Sequence, residues 1–230
     1  MRFLIDSFSP EEIKKVLEYY PAEGVTTNPA IISRERRPLK ATLLEIRELI
    51  GEKMLHVQTM QKESGAMVDE ALKLRDELSV TPDGHDFFIK LPAVPEGLKA
   101  CAYLSKKGVN VTMTAIFTPM QALLSARCGA RFVAPYVNKL DDVGDGEACV
   151  EKTARLFEAH KLDTKILSAS FRNVSQVTRV ALSGSHYCTL PPAFFEKLIY
   201  HPMTENALTG FESDWLSAYG NKTPSELMEE

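Results

Sequence analysis

Short β-rich apolar runs recur eight times down the sequence, each followed by a stretch of helical character. The runs are RFLID at 2–6, GVTTN at 24–28, MLHVQTM at 54–60, DFFIKLP at 86–92, NVTMTAIF at 110–117, RFVAPYV at 131–137, KILSASF at 165–171 and HYCTLP at 186–191. The first helix is announced by Ser9-Pro10-Glu11-Glu12, which supplies a cap, a proline in the first turn and two acids at the positive end of the helix. Ile13, Val16 and Leu17 then follow at helical spacing. Further amphipathic segments cover 38–50, 63–78, 95–107, 118–128, 145–160, 173–183 and 192–200, with a last one at 203–219. Strands alternating with helices mean a parallel sheet, and several runs are apolar on both faces, as strands covered by helices must be. Eight units in 230 residues, roughly 29 residues each, predict a single α/β domain over 1–230: a (β/α)8 TIM barrel with an extra C-terminal helix. A doubly wound open sheet is the alternative, but no GxGxxG or GxxxxGK follows any run.

In such barrels the chemistry sits at the C-terminal ends of the strands. Polar residues gather there in otherwise apolar runs: Asp6, then Thr26, Thr27 and Asn28, Gln58, Lys90, Thr114, Tyr136 and Asn138, and finally Ser168, Ser170 and Arg172. Alternation along FFIKLP gives Phe87 and Ile89 to the helices and Lys90 to the barrel interior. A lysine buried there loses hydration, its pKa falls, and a neutral amine is a nucleophile towards carbonyls. The competing reading is a strand-end lysine that snorkels to solvent or pairs with an acid. Asp6 fits a general base, a metal ligand or a loop cap. His56 shares the parity of Gln58 and reads as a core or supporting histidine, because no second histidine stands at metal-ligand spacing. Ser33-Arg34-Glu35-Arg36-Arg37 reads first as a solvated loop, with a role at the cavity rim as the second choice.

These residues resemble the small transaldolases, and most closely their fructose-6-phosphate aldolase branch. The resemblance rests on FLIDS, GVTTNPAII, HVQTM, FIKLP, EGLKACAYLSKKGV, RFVAPYVNKLDD, ILSASFRN and TLP, in order over nearly the whole chain. It implies a metal-free class I mechanism without a cofactor. Lys90 matches the Schiff-base lysine and Asp6 the acid that moves the C4 hydroxyl proton. Gln58, Thr114 and Tyr136 match a trio holding a catalytic water. Asn28, with Thr26 and Thr27 beside it, matches a contact to substrate hydroxyls. Lys139, Ser170 and Arg172, with Asn138 and Ser168 nearby, match the anion end of the substrate. Gln58 with Tyr136 is the aldolase-like combination.

Three features depart from that branch. Lys139 stands where Arg is usual, Arg172 where Lys is usual, and Thr112-Met113-Thr114 replaces a smaller Leu-Gly-Thr. Arg grips an oxyanion through two parallel bonds, whereas Lys acts as a point charge, so the exchange bears on the anionic group. A 6-phosphorylated ketose such as fructose 6-phosphate and a 6-sulfonated one, 6-deoxy-6-sulfofructose, are both implied. So are cleavage and transfer to an acceptor aldehyde, with sedoheptulose 7-phosphate a further donor. A metal-dependent barrel lyase using Asp6, His56 and Asn28, and a silent sugar-phosphate binder, are the readings from other classes.

Charge narrows the partners. With 27 basic against 31 acidic residues and a net −4, a nucleic-acid surface is not expected. No run approaches a membrane span, and Asp6 interrupts any signal-peptide core. Cys101, Cys128, Cys149 and Cys188 are far apart without CxxC, which suits a reducing cytoplasm. The helix at 203–219 carries Phe211 and Trp215 as an i,i+4 pair. With the resemblance, that implies a homo-oligomer, a pentamer or a pair of them. The acidic tail after Gly220 is expected to fray.

Overall fold

The computed structural model describes residues 1–229. The chain divides into two compact units, Met1–Phe195 and Glu196–Glu230. In chain order the first unit runs β1 (Arg2–Asp6), α1 (Pro10–Tyr19), β2 (Ala22–Thr26), α2 (Pro29–Glu35), α3 (Leu39–Ile50), β3 (Met54–Gln58), α4 (Ser64–Leu78) and β4 (Phe87–Pro92). It continues with α5 (Pro95–Lys106), β5 (Asn110–Ile116), α6 (Pro119–Arg127), β6 (Phe132–Pro135), α7 (Val137–Asp141), α8 (Gly146–Ala159), β7 (Lys165–Ser168), α9 (Val174–Leu182), β8 (Tyr187–Leu190) and the start of α10 (Pro192–Ile199). All eight strands pair in parallel with their sequence neighbours, and β1 pairs with β8, which closes the expected barrel.

The helices begin where their caps allow. Ser9, Asn28, Thr118, Asp145 and Asn173 each accept a backbone N–H of the first turn, and prolines occupy the first turns of α1, α2, α5 and α6. The helix α2, in the β2–α3 connection, lies outside the expected set. Asn28 starts it: a β-conformation cap followed by proline forces the chain out of the strand.

Below the C-terminal mouth apolar side chains fill part of the interior. Leu4, Phe88, Phe132 and Leu167 form one buried cluster, with Met54 and Tyr187 packed on it. Outside the barrel, at the base of β4, Arg47 and Asp86 form a buried ion pair at 3.3 Å, with side chains 4% and 0% exposed. Asp86 also accepts from Ser79 Oγ, Thr81 Oγ1 and the Val80 N–H. Burial works against its charge, but these donors and Arg47 hold it below the ordinary carboxylate range. The Arg47 guanidinium donates to the carbonyls of Gly51, Lys53 and Asp86, tying the end of α3 to the start of β4. Arg47→Ala leaves a buried, unpaired carboxylate, and urea unfolding is expected to show a loss of about 3 kcal/mol. Wild-type stability in that variant rules out a structural role for the pair.

In the second unit, α11 (Pro202–Tyr219) is followed by α12 (Pro224–Met228). The tail after Gly220 is thus helical over five residues rather than frayed, because Thr223 and Glu226 form a capping box. Trp215 packs on Tyr219 at 4.8 Å and donates its indole N–H to the Lys222 carbonyl. No helix among the described residues is long and apolar enough to cross a membrane.

Candidate active site

A cavity of about 610 Å³ opens at the C-terminal ends of the strands in the first unit. Asp6, Thr26, Asn28, Gln58, Lys90, Thr114, Tyr136, Lys139 and Ser170 line it together. Register explains the grouping: Asp6 pairs with Thr26, and Gln58 with Lys90. These partners share the inward face of adjacent strands.

Lys90 is 6% exposed, and its Nζ donates to the Thr27 carbonyl at 2.6 Å. Burial pushes the amine below its ordinary value, and the Asp6 charge opposes that push only in part. Asp6 is shifted the other way: burial raises it, while Lys90, the Thr26 hydroxyl and Arg34 pull it back. The two shifts converge, which narrows the difference in proton affinity between amine and carboxylate. Thr26 Oγ1 donates to Asp6 Oδ1 at 2.8 Å and lies 2.6 Å from Thr189 Oγ1. A hydroxyl has one proton to give, so Thr189 donates to Thr26 and the carboxylate is held at the end of a two-hydroxyl chain. Imine formation, followed by borohydride trapping, is expected to rise with pH along a limb that lies below the ordinary lysine value of 10.5. In Asp6→Asn the limb moves to lower pH, because the charge that raised Lys90 is gone. A limb that stays at the ordinary lysine value would contradict the burial of Lys90.

Across the cavity, Thr114 Oγ1 and Tyr136 Oη are 3.0 Å apart. Two non-glycine residues here have left-handed backbone, Ala115 at φ 56° and Ser170 at φ 62°. Ala115 lies where the β5–β6 register shifts, directly after Thr114, and Ser170 lies just past β7. Such strain persists only where surrounding contacts enforce it. The Ser170 carbonyl accepts the Asn138 N–H at 2.7 Å and the Ala169 carbonyl accepts that of Val137, so the β6 and β7 loops brace each other. Asn28 uses Oδ1 to cap α2 through the Ile31 N–H, which leaves its amide N–H groups for a ligand.

Thr27, Asn138, Ser168 and Arg172 are not brought into the lining. Thr27 has the outward parity; its Oγ1 donates to the His56 carbonyl, and its contribution to the site is the carbonyl under Lys90. Ser168 faces the helices and pairs with Ser185 at 2.7 Å, because Leu167 and Ala169 hold the inward positions of that stretch. Asn138 meets the site only through its backbone brace to Ser170. Arg172 turns out towards Asp142 at 3.7 Å with its side chain 68% exposed, since its N–H is fixed by Gln176 Oε1.

Sequence reasoning missed Ser7 and Glu12, which line the cavity and are joined by a 3.0 Å bond from Ser7 Oγ. It gave Arg34 a rim role only as the second choice to a solvated one; Arg34 meets both descriptions, lining the cavity from the last turn of α2 with its side chain 73% exposed. Helical spacing from Ala30 and Ile31, both in the lining, is the signal that finds it. Among the described residues no group of three His, Cys, Asp or Glu could hold a metal ion.

Residues 3–225 match the family model described as Transaldolase/Fructose-6-phosphate aldolase. The chain is 39% identical over 221 residues to a probable transaldolase of Symbiobacterium thermophilum, covering 96% of this chain and 99% of that one. It is 40% identical over 218 residues to a probable transaldolase of Brevibacillus brevis, covering 94% and 99%. A probable transaldolase of Aquifex aeolicus is 38% identical over 216 residues, covering 94% and 96%. With an amine, a carboxylate and a hydroxyl pair converging at the mouth of a closed parallel barrel, this chain is an enzyme of the class I aldolase/transaldolase type and belongs to the transaldolase/fructose-6-phosphate aldolase family.

Proposed function

We propose that the chain cleaves the C3–C4 bond of a ketose bearing an anionic group at C6, through a Schiff base on Lys90. The observation that carries this reading is the buried Lys90 amine, held 2.6 Å from the Thr27 carbonyl in the cavity that Asp6 also lines. The neutral amine adds to the C2 carbonyl, and with one proton taken up from solvent, which the later hydrolysis returns, water leaves to give an iminium. Asp6 takes the C4 hydroxyl proton, the C3–C4 electrons flow into the iminium, and a three-carbon anionic aldehyde departs. The dihydroxyacetone unit remains as an enamine on Lys90. Protonation at C3 and attack by water then free dihydroxyacetone and regenerate the amine; attack of the enamine on an acceptor aldehyde makes the same intermediate a transfer reaction. Gln58, Thr114 and Tyr136 hold the hydrolytic water. The description of the relatives as probable transaldolases favours transfer; the Thr114–Tyr136 hydroxyl pair favours release.

Lys139 and Ser170 seat the anion, with Arg34 as the other cavity cation besides Lys90. A 6-phosphate and a 6-sulfonate both present oxygens to this set. Fructose 6-phosphate and its 6-sulfonate analogue, each with and without an acceptor aldehyde and trapped with borohydride, test the reading. A reduced three-carbon adduct on Lys90 is expected by mass spectrometry. No adduct, or one on another lysine, overturns it. A Gln58→Glu, Tyr136→Phe double variant is expected to move the transfer-to-release ratio by about tenfold towards transfer; an unchanged ratio counts against the water assignment. The exposed apolar side chains of Met203, Leu208, Phe211 and Leu216 on α11 support a homo-oligomer; the family resemblance is what suggests a pentamer or a pair of them, which light scattering measures.

A further inference from the structure

The two groups assigned to the anion come from different loops. Lys139 stands on α7, directly after β6, and Ser170 stands just past β7. The β6–β7 ladder pairs Phe132 with Lys165 and Val133 with Ile166, then thins to an isolated bridge at Tyr136 and Ala169. Beyond that bridge, the spacing of Lys139 and Ser170 depends on what ties the loops together. One tie is main-chain: the Asn138 N–H donates to the Ser170 carbonyl at 2.7 Å. The other is a side chain. Gln176, on α9, is 4% exposed and absent from the cavity lining. Its Oε1 accepts the Arg172 N–H at 2.7 Å, and its Nε2 donates to Asp141 Oδ2 at 2.7 Å.

Arg172 lies two residues beyond Ser170, and Asp141 two beyond Lys139. Segments 138–141 and 170–172 are therefore closed into a ring, by the main-chain bond at one end and the Gln176 amide at the other. Lys139 and Ser170 are both members of it. The amide fits only one way round, because a backbone N–H needs its oxygen and a carboxylate needs its NH2. Its supports are fixed in turn. The Gln176 N–H donates to Asn173 Oδ1 at 2.9 Å, while Asp141 accepts the Gly146 N–H at 2.8 Å and Arg179 at 3.1 Å. Lys90 and Asp6 stand outside the ring, on β4 and β1.

We propose that Gln176 is a positioning residue for the anion seat: its buried amide locks the two loops together and so sets the spacing of Lys139 and Ser170, without touching substrate. This deepens the proposed function and rests on its assignment of Lys139 and Ser170. Imine formation on Lys90 does not pass through the ring, so loosening the ring weakens anionic substrates alone.

Borohydride trapping on Lys90 tests this with two probes. One is dihydroxyacetone, which has no anionic group. The other is fructose 6-phosphate or its 6-sulfonate analogue, whichever the wild-type enzyme traps at the lower concentration. Gln176→Leu removes both bonds and adds no charge. Its half-saturating concentration is expected to rise about tenfold for the anionic ketose and to stay within about twofold for dihydroxyacetone. A Gln176→Glu, Asp141→Asn double variant rebuilds the bridge with donor and acceptor exchanged: one new carboxylate oxygen takes the Arg172 N–H and the other takes the new amide NH2. Arg179 keeps its second carboxylate, Glu147, at 3.2 Å. Wild type and both variants have the same net charge, so the bridge is what separates them. The double variant is expected to hold the anionic ketose within about threefold of wild type. Equal losses for both probes in Gln176→Leu, no loss for either, or a double variant as weak as Gln176→Leu overturns the proposal. If Gln176→Leu does not fold, amide hydrogen exchange of the wild-type enzyme decides. The Arg172 side chain is 68% exposed, yet its N–H is expected to exchange about a hundredfold or more below the unstructured rate, and more slowly still with the anionic ketose but not with dihydroxyacetone. Exchange at the unstructured rate, or no response to the anionic ketose, overturns the proposal. Failure of the wild-type enzyme to trap any adduct on Lys90 strikes the proposed function instead.

Discussion

Lys90→Met is expected to lose turnover by about 10⁴-fold or more and to form no borohydride adduct, while keeping its fold. Methionine fills nearly the same space in the FFIKLP strand and carries no charge to desolvate. Its melting temperature is expected to rise. The native amine is buried and held below its ordinary 10.5, so between its folded value and 10.5 the unfolded chain binds the extra proton and the fold is weakened as pH falls. Stability should therefore climb with pH across that window in the wild type, and the climb should vanish in the variant. A Lys90→Met enzyme that still turns over would remove the Schiff base from the mechanism. One that melts lower would show that the ammonium contributes more through Asp6 and Thr27 than its desolvation costs.

The second large effect belongs to Asp6. Asp6→Asn keeps an oxygen for the Thr26 hydroxyl but cannot take a proton, and kcat is expected to fall about a thousandfold with little change in KM. The trapped species distinguishes this from general damage. Because imine formation precedes the step that Asp6 serves, borohydride should capture the uncleaved six-carbon ketose on Lys90 in place of the three-carbon unit. A three-carbon adduct at the wild-type rate would move the base function to another group, with Glu12, the other carboxylate in the lining, as the candidate.

The strand-borne half of the site was legible because alternation in a parallel strand is strict. Asp6, Gln58, Lys90 and Thr114 each occupy the inward position that parity assigns, and the eight-unit rhythm placed them at one end of the barrel. Legibility failed just where the strands stop. Ser168 was grouped with Ser170 as a polar residue at the end of the same apolar run, but β7 puts Leu167 inward, and the left-handed turn at Ser170 then breaks the alternation. Arg172 fell outside the lining for the same reason: a loop side chain's direction depends on which distant group holds its backbone. Gln176 takes the Arg172 N–H, and Gln176 Nε2 is itself held by Asp141 at the end of α7. The His56–Thr112 contact, between strands that are not neighbours, was equally out of reach of any local pattern.

The packed floor under the site has a kinetic corollary. Leu4, Phe88, Phe132 and Leu167 pack the barrel beneath Lys90, which leaves the cavity its opening at the C-terminal ends of the strands. Under the proposed function, the released aldehyde and the acceptor aldehyde then use one opening and one anion seat in turn. In a transfer reaction the released aldehyde has to clear before the next can dock, which makes the cycle a strict alternation with parallel double-reciprocal plots. The acceptor at high concentration becomes an inhibitor, because it fills the seat of an enzyme that has not yet met its donor.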